Sequence, residues 1–344
     1  AFVKLGSFFK EYCKYAKNKT QIDDIQYAWF IKFDEILVLA GHHNGWFTPE
    51  NILFSLESWS ELLTPLELER WLSAYDLGKN KPKTVALIMA GNIPLVGFHD
   101  FISTLITGNK VLVKLSSNDK ILLPFIAQYL IEVEPSLKDQ ISFSEGKLEE
   151  FDAIIATGSD NTSRYFEHYF GNKPNIIRRN RNSVAILSGN ETNDELAALG
   201  EDIFRYYGLG CRSVSKLFVP NDYNFDALFK ALYPYNTIIE QHKYANNYDY
   251  NKAVYLMSLY KILENGFLML KEDENYASPI ATVFYEFYES LEELKIRLTN
   301  EKDRIQCMVA KGFIEDEVPF GLTQKPSLTD YADNIDTVDF LLKT

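Results

Sequence analysis

From Thr84 to Ala90 the chain reads Thr-Val-Ala-Leu-Ile-Met-Ala, an unbroken apolar run entered through the polar hinge Lys79-Asn80-Lys81-Pro82-Lys83. A strand with one wet face shows polar residues at alternate positions, so a run of this kind belongs to a strand covered on both sides. Covering both faces of a sheet takes helices. Helical patterns over 95–107, 119–132, 160–170 and 192–207 alternate with strand patterns over 110–115, 151–156 and 183–188. This rhythm predicts an α/β fold on an open, mostly parallel sheet of Rossmann type. Beyond residue 208 a strand over 215–219, a helix over 223–232, strands near 254–258 and 280–285 and a helix over 289–299 predict a second α/β domain. A Tyr/Asn-rich polar stretch, Tyr244 to Tyr250, lies inside it. Residues 1–80 read as an N-terminal helical layer, with helical spacing in Ile31–Leu39 and Leu62–Leu77 and a helix start at Thr48-Pro49-Glu50.

Two domains suit the length, because 344 residues exceed the roughly 250–300 that one core serves. The net charge of −13 argues against nucleic-acid binding, which needs clustered cations to neutralise phosphates. Arg178-Arg179-Asn180-Arg181 is the local exception, read as a solvated loop or an anion contact. Three cysteines, Cys13, Cys211 and Cys307, without CxxC spacing predict neither a disulfide framework nor a metal site and fit a reducing cytoplasm. No apolar stretch is long enough for a membrane span, and residues 1–20 carry charges throughout, unlike a signal peptide. A soluble cytoplasmic protein is expected.

Gly208-Leu209-Gly210-Cys211 closes a helical run and precedes the strand-like Ser215–Pro220. Flanking glycines let the backbone turn tightly and leave a thiolate open to an electrophile; the alternative is a cysteine serving as a small buried hydrophobe. Three strand ends of the first domain carry polar groups. Gly91-Asn92-Ile93-Pro94 places a side-chain amide, a potential oxyanion donor, at a sheet's carboxyl edge, unless Asn92 only shapes the turn. Lys114, followed by Ser116 and Ser117, offers a cation and hydroxyls to a ribose or phosphate. Thr157-Gly158-Ser159 opens a helix whose free amides favour a phosphate. Each is also an ordinary capping motif, and the GxGxxG fingerprint is absent. Ile93, Val96 and Phe98 read as core in preference to an acyl tunnel.

In this order the segments resemble the aldehyde dehydrogenase superfamily, and most of all its acyl-CoA reductase branch of LuxC type. The diagnostic stretches are Leu87–Asp100, Gly210–Leu217, Pro319-Phe320-Gly321 and Pro326–Asp333. The resemblance implies an aldehyde-dehydrogenase-like fold: a helical layer over 1–83, an NAD(P)-binding domain over 84–205, a catalytic domain over 206–320 and a segment over 321–344 that packs back. It implies reduction of a fatty acyl-CoA to aldehyde through a thioester on Cys211, with Asn92 as oxyanion donor and Lys114, Ser116, Ser117, Thr157, Gly158 and Ser159 as the cofactor cradle. Aldehyde-oxidising members carry a water-activating glutamate where Arg178–Arg181 stands, so hydrolysis is not expected unless Glu201 or Asp202 supplies the base. Ser117 replaces an acidic ribose ligand, and the family's other ribose-binding glutamate maps near Asn275, which together imply NADPH, with NADH as the alternative. Other readings are reduction of an acyl phosphate, or a catalytically silent scaffold for an acyltransferase or synthetase partner. Only Gly78–Lys83 is left for the superfamily's oligomerisation arm, which implies a monomer or homodimer.

Overall fold

The computed structural model describes residues 1–18 and 24–344. Residues 19–23, part of the helical stretch expected over 1–80, lie outside the described residues. The chain divides into two compact units, Ala1–Arg179 with Ser327–Thr344, and Asn180–Pro326.

The first unit begins with α1 (Phe2–Asn18), α2 (Asp24–His43), α3 (Pro49–Leu62) and α4 (Pro65–Leu72). Leu5, Phe8, Phe9 and Tyr12 share the buried face of α1, where the rings of Phe8 and Tyr12 meet Phe30 and Phe33 of α2. Thr48 caps α3 by accepting from the Asn51 amide, with Pro49 in the first turn, as the sequence predicts. Thr64-Pro65 repeats that start for α4 and splits the helical pattern read across Leu62–Leu77.

The apolar run becomes β1 (Thr84–Ile88), followed by α5 (Phe98–Ile106), β2 (Lys110–Lys114), α6 (Leu122–Val133), β3 (Ile141–Phe143), β4 (Ala153–Thr157), α7 (Asp160–Phe170) and β5 (Asn175–Arg178). Among the described residues these strands form a parallel sheet ordered β3-β2-β1-β4-β5. β1 is central, and Val85, Ala86 and Leu87 are buried as their run requires. Strand order reverses beside β1, which opens the crevice at the carboxyl edge where α/β sheets take ligands. Leu95 adopts a left-handed φ of 58° and Gly97 sits at the N-cap, so α5 starts three residues later than its apolar pattern.

The C-terminal helix Thr337–Lys343 returns to this unit and buries Val338 and Leu341. Trp71 Nε1 donates to the Tyr331 hydroxyl at 2.6 Å, Tyr75 donates to Asp336 at 2.7 Å, and His99 Nε2 donates to the Leu328 carbonyl at 3.0 Å. The rings of Trp59, Trp71 and Tyr331 surround His99, and burial holds its pKa below the usual value of 6.5. The unfolded chain therefore takes up this proton first, and the stability His99 allows at neutral pH is lost as pH falls below 6.5 toward the folded value. His99→Gln keeps a donor for Leu328 and removes the titration. Urea midpoints are expected to fall less in this variant than in the parent between about pH 7 and pH 5.

The second unit contains β6 (Asn182–Ile186), α8 (Asn193–Phe204), β7 (Val214–Pro220), α9 (Phe225–Leu232), α10 (His242–Met257), β8 (Ile262–Glu264), β9 (Met269–Glu272), β10 (Thr282–Tyr288), α11 (Leu291–Asn300) and β11 (Ile305–Val309). The sheet order is β11-β6-β7-β10-β9-β8, parallel except at the β8–β9 edge. The strand expected at 254–258 is instead the end of α10. Tyr244, Tyr248, Asn251 and Tyr255 bury one helical face, a spacing that overrides the short apolar run. The units divide at Arg179/Asn180, so β6 and α8 belong to the second unit, whereas the sequence reading ended its first domain at residue 205. Among the described residues, no helix is long and apolar enough to cross a membrane.

Candidate active site

At the carboxyl edge of the first sheet, Lys114 pairs in register with Ile88, and Ile88 with Ala156, which sets the ends of β2, β1 and β4 side by side. The loops that follow touch. A Cβ on Gly91 would lie 2.7 Å from both Cβ and Oγ of Ser116, so only glycine lets the Asn92 loop and the Ser116 loop sit together. The half-buried Asn92 lies in a loop held from the helical layer: Asn44 Nδ2 donates to the Gly91 carbonyl at 3.2 Å and Ser55 Oγ to the Pro94 carbonyl at 3.2 Å. Neither contact was legible in the sequence, since nothing local marks Asn44 or Ser55.

Lys114 Nζ donates to the Gly146 carbonyl at 3.0 Å. Ser116 Oγ accepts from the Asn118 amide, and the exposed Ser117 offers its carbonyl to His43 Nε2 at 2.7 Å. Thr157 pairs with Arg178 at the end of β4. Ser159 caps α7 by accepting from the Thr162 amide, and a Cβ on Gly158 would meet Thr162 and the Phe166 ring at 3.0 Å, so glycine brings the helix start close to the strand end. An ammonium, two hydroxyls and a helix N-terminus along one sheet edge match the donors a dinucleotide's phosphates and ribose require.

Arg178, read from sequence as part of a solvated or anion-binding run, is buried. Strand alternation separates it from exposed Arg179, which pairs with Glu167. The Arg178 guanidinium forms a two-point ion pair with buried Asp100 in the first turn of α5, with Nη2 to Oδ1 at 2.8 Å, and also donates to Thr337 Oγ1 at 3.2 Å. Where the resemblance looks for a water-activating carboxylate, the chain holds a neutralised cation.

In the second unit, α8 ends at Phe204 and the chain turns through Tyr206, Tyr207 and Gly208, at φ 54°, 59° and 75°, before reaching Cys211. The helical run read to residue 207 therefore stops early. Cys211 is exposed, whereas Cys13 and Cys307 are buried. Burial pushes the Cys13 thiol up to about 12, which leaves it protonated at neutral pH. The Cys211 carbonyl accepts from Ser183 Oγ at 2.9 Å. Residues 321–324 brace both flanks of the turn. The Gly321 amide and the Thr323 amide and hydroxyl donate to Asp202 of α8, Arg212 Nε donates to the Thr323 carbonyl, and Gln324 Nε2 donates to Ser213 Oγ. This role for residues 321–324 was not evident from sequence. Desolvation pushes the Asp202 carboxyl up to about 6. Its oxygens are taken by the brace, and Glu201 is bound to Arg205 at 2.7 Å, so both acids considered as alternative bases serve structure. Asn275 donates its backbone amide and its Nδ2 to Asp273 Oδ1, at 2.9 Å and 2.8 Å, within its own loop.

Val96 and Phe98 border a void of about 10 Å³, room for one water and not for an acyl chain. A larger opening of about 230 Å³, bordered by Phe218, Glu286, Tyr288, Glu293 and Arg297, contains none of the candidate residues.

A family model described as acyl-CoA reductase (LuxC) matches residues 14–232, well over half the chain. A long-chain acyl-protein thioester reductase of Aliivibrio fischeri is 25% identical over 228 residues, 60% of this chain and 47% of that protein, so the chain spans about half the length of this curated relative. Solved structures show the same fold. The aldehyde dehydrogenase KauB of Pseudomonas aeruginosa superposes with a TM-score of 0.63 at 14% identity, covering 90% of this chain and 72% of its own. Aldehyde dehydrogenase 21 of Physcomitrella patens gives 0.61 at 13%, covering 90% and 73%. Indole-3-acetaldehyde dehydrogenase of P. syringae, in complex with NAD+, gives 0.60 at 12%, covering 90% and 72%. The chain has the aldehyde-dehydrogenase fold and belongs to the acyl-CoA reductase (LuxC) family.

Proposed function

We propose that the chain reduces a long-chain acyl thioester to the aldehyde, with Cys211 as nucleophile and NADPH as the preferred reductant. The observation that carries this is the exposed thiol of Cys211 on a turn braced by Ser183, Arg212 and Asp202 in a chain of this family. The family is described by acyl-CoA and the Aliivibrio relative by an acyl-protein thioester; both present the same carbonyl.

The Cys211 thiolate attacks that carbonyl carbon, forming an S–C bond while the carbonyl π pair moves onto oxygen. Asn92 Nδ2–H and the Cys211 backbone N–H are the proposed donors to the oxyanion. Collapse breaks the original C–S bond, and the departing thiolate takes a proton from solvent. Lys114, Ser116 and Ser117 are assigned to the cofactor's adenosine ribose and its 2′-phosphate, and Thr157, Gly158 and Ser159 to its pyrophosphate. A reduced nicotinamide held there would supply hydride to the acyl carbon; the C–S bond to Cys211 then breaks, the aldehyde leaves and the Cys211 thiolate is restored. Arg178 stands where the resemblance looks for a water-activating glutamate, and the Asp100 carboxylate beside it is bound to the guanidinium, so neither is assigned as a base and hydrolysis of the acyl-enzyme is not expected. Ser117 carries no charge to repel the 2′-phosphate.

Free thiol and NADPH are to be measured against acyl-CoAs of graded length. CoA release before NADPH oxidation, with turnover only when both substrates are present, is the expected result. Reduction of acyl phosphates without any CoA release would replace the substrate class, and a Cys211 inert to alkylation would favour the scaffold.

A further inference from the structure

Two neighbouring residues at the end of α2 hold the two loops this reaction uses. His43 Nε2–H donates to the Ser117 carbonyl at 2.7 Å, and Asn44 Nδ2–H donates to the Gly91 carbonyl at 3.2 Å. Asn44 Oδ1 accepts from the Trp46 amide at 3.1 Å, which fixes the amide's orientation so that its NH2 faces Gly91. Gly91 in turn lies against Ser116, with no room for a Cβ between them. The contacts form a closed ring from α2 to the Ser116–Ser117 loop, to the Gly91–Asn92 loop, and back to α2. His43 is exposed, so packing of the helical layer does not depend on it.

We propose that His43 and Asn44 are positioning residues. His43 sets the Ser116–Ser117 loop for the cofactor ribose, and Asn44 sets the Gly91–Asn92 loop for the oxyanion. The assignment rests on the reaction proposed above for what each loop binds. It follows that the two contacts separate by function: loss of the first weakens cofactor binding, and loss of the second slows acylation.

The test uses the full chain with His43→Ala, His43→Gln and Asn44→Asp. Three readouts are taken: calorimetric affinity for 2′,5′-ADP, the single-turnover rate of CoA release without cofactor, and amide hydrogen exchange over residues 115–120. Losing one hydrogen bond of ordinary strength corresponds to about a fivefold change. His43→Ala is expected to weaken 2′,5′-ADP binding about fivefold and to speed exchange, with a smaller effect on CoA release. His43→Gln, which keeps a donor, restores both. Asn44→Asp, which keeps the acceptor for Trp46 and loses the donor, is expected to slow CoA release more than it weakens 2′,5′-ADP binding. Unchanged exchange in His43→Ala overturns the brace, whatever the parent chain binds. Equal losses of 2′,5′-ADP affinity and CoA release in both Ala and Asp variants overturn the division of roles. A parent chain that does not bind 2′,5′-ADP, while His43→Ala still speeds exchange, overturns the NADPH reading and leaves the brace standing.

Discussion

Cys211→Ala is expected to reduce CoA release and NADPH oxidation together by at least about 10³-fold, the scale of losing a covalent nucleophile. The side chain is exposed, and the contact from Ser183 goes to the Cys211 backbone carbonyl, so the variant should keep its fold. Its unfolding free energy should lie within about 0.5 kcal/mol of the parent, as for a surface substitution. The two measurements belong together, because lost activity with lost stability would report damage to the turn. Cys211→Ser is expected to fail as well, since a hydroxyl is not ionised at neutral pH. Parent rates of CoA release in either variant would move the nucleophile elsewhere, and buried, protonated Cys13 is a poor replacement.

The largest stability effect is expected at Arg178. Arg178→Met leaves the Asp100 carboxylate buried without its cation, and breaking a buried pair from one side typically costs about 3–5 kcal/mol. Asp100 also lies in the first turn of α5, where the helix N-terminus favours a negative charge, but that effect is only about 0.3–1 kcal/mol and cannot replace a two-point guanidinium contact. Arg178→Met with Asp100→Leu removes both charges and is expected to regain most of the loss. Urea midpoints of the parent, both single variants and the double variant give the coupling energy directly. A loss below about 1 kcal/mol in Arg178→Met alone would show that Asp100 is relieved by protonation or water.

The features legible in sequence were those written locally. Thr84–Ala90 had to be an inner strand because six consecutive apolar residues after Thr84 leave no wet face, and Thr48-Pro49 had to start a helix because a hydroxyl cap and a fixed φ both favour it. The strand ends at Asn92, Lys114 and Thr157 could be ordered along one edge because parallel strands point their carboxyl ends the same way. Contacts set by the fold were not legible. Asn44 reaches Gly91 across 47 positions, His43 reaches Ser117 across 74, and Asp100 reaches Arg178 across 78, with no pattern near either partner to announce them. Arg178 misled because three arginines in four residues look solvated, whereas a strand sends adjacent side chains to opposite faces. Residues 254–258 misled for a similar reason: a short apolar run fits a strand or a helix end, and only the tyrosine spacing upstream decides.

The route of the chain has a consequence for how the protein is made. The first unit draws on Leu328, Val338 and Leu341 for its core and on Tyr331, Asp336 and Thr337 for its buried polar contacts. During synthesis residues 1–179 therefore wait with an open seam while the second unit, continuous from Asn180 to Pro326, is translated and can close on itself first. Until Thr337 and its neighbours leave the ribosome, the nascent first unit is short of part of its core. An apolar seam open for that interval is the kind of surface through which nascent chains aggregate.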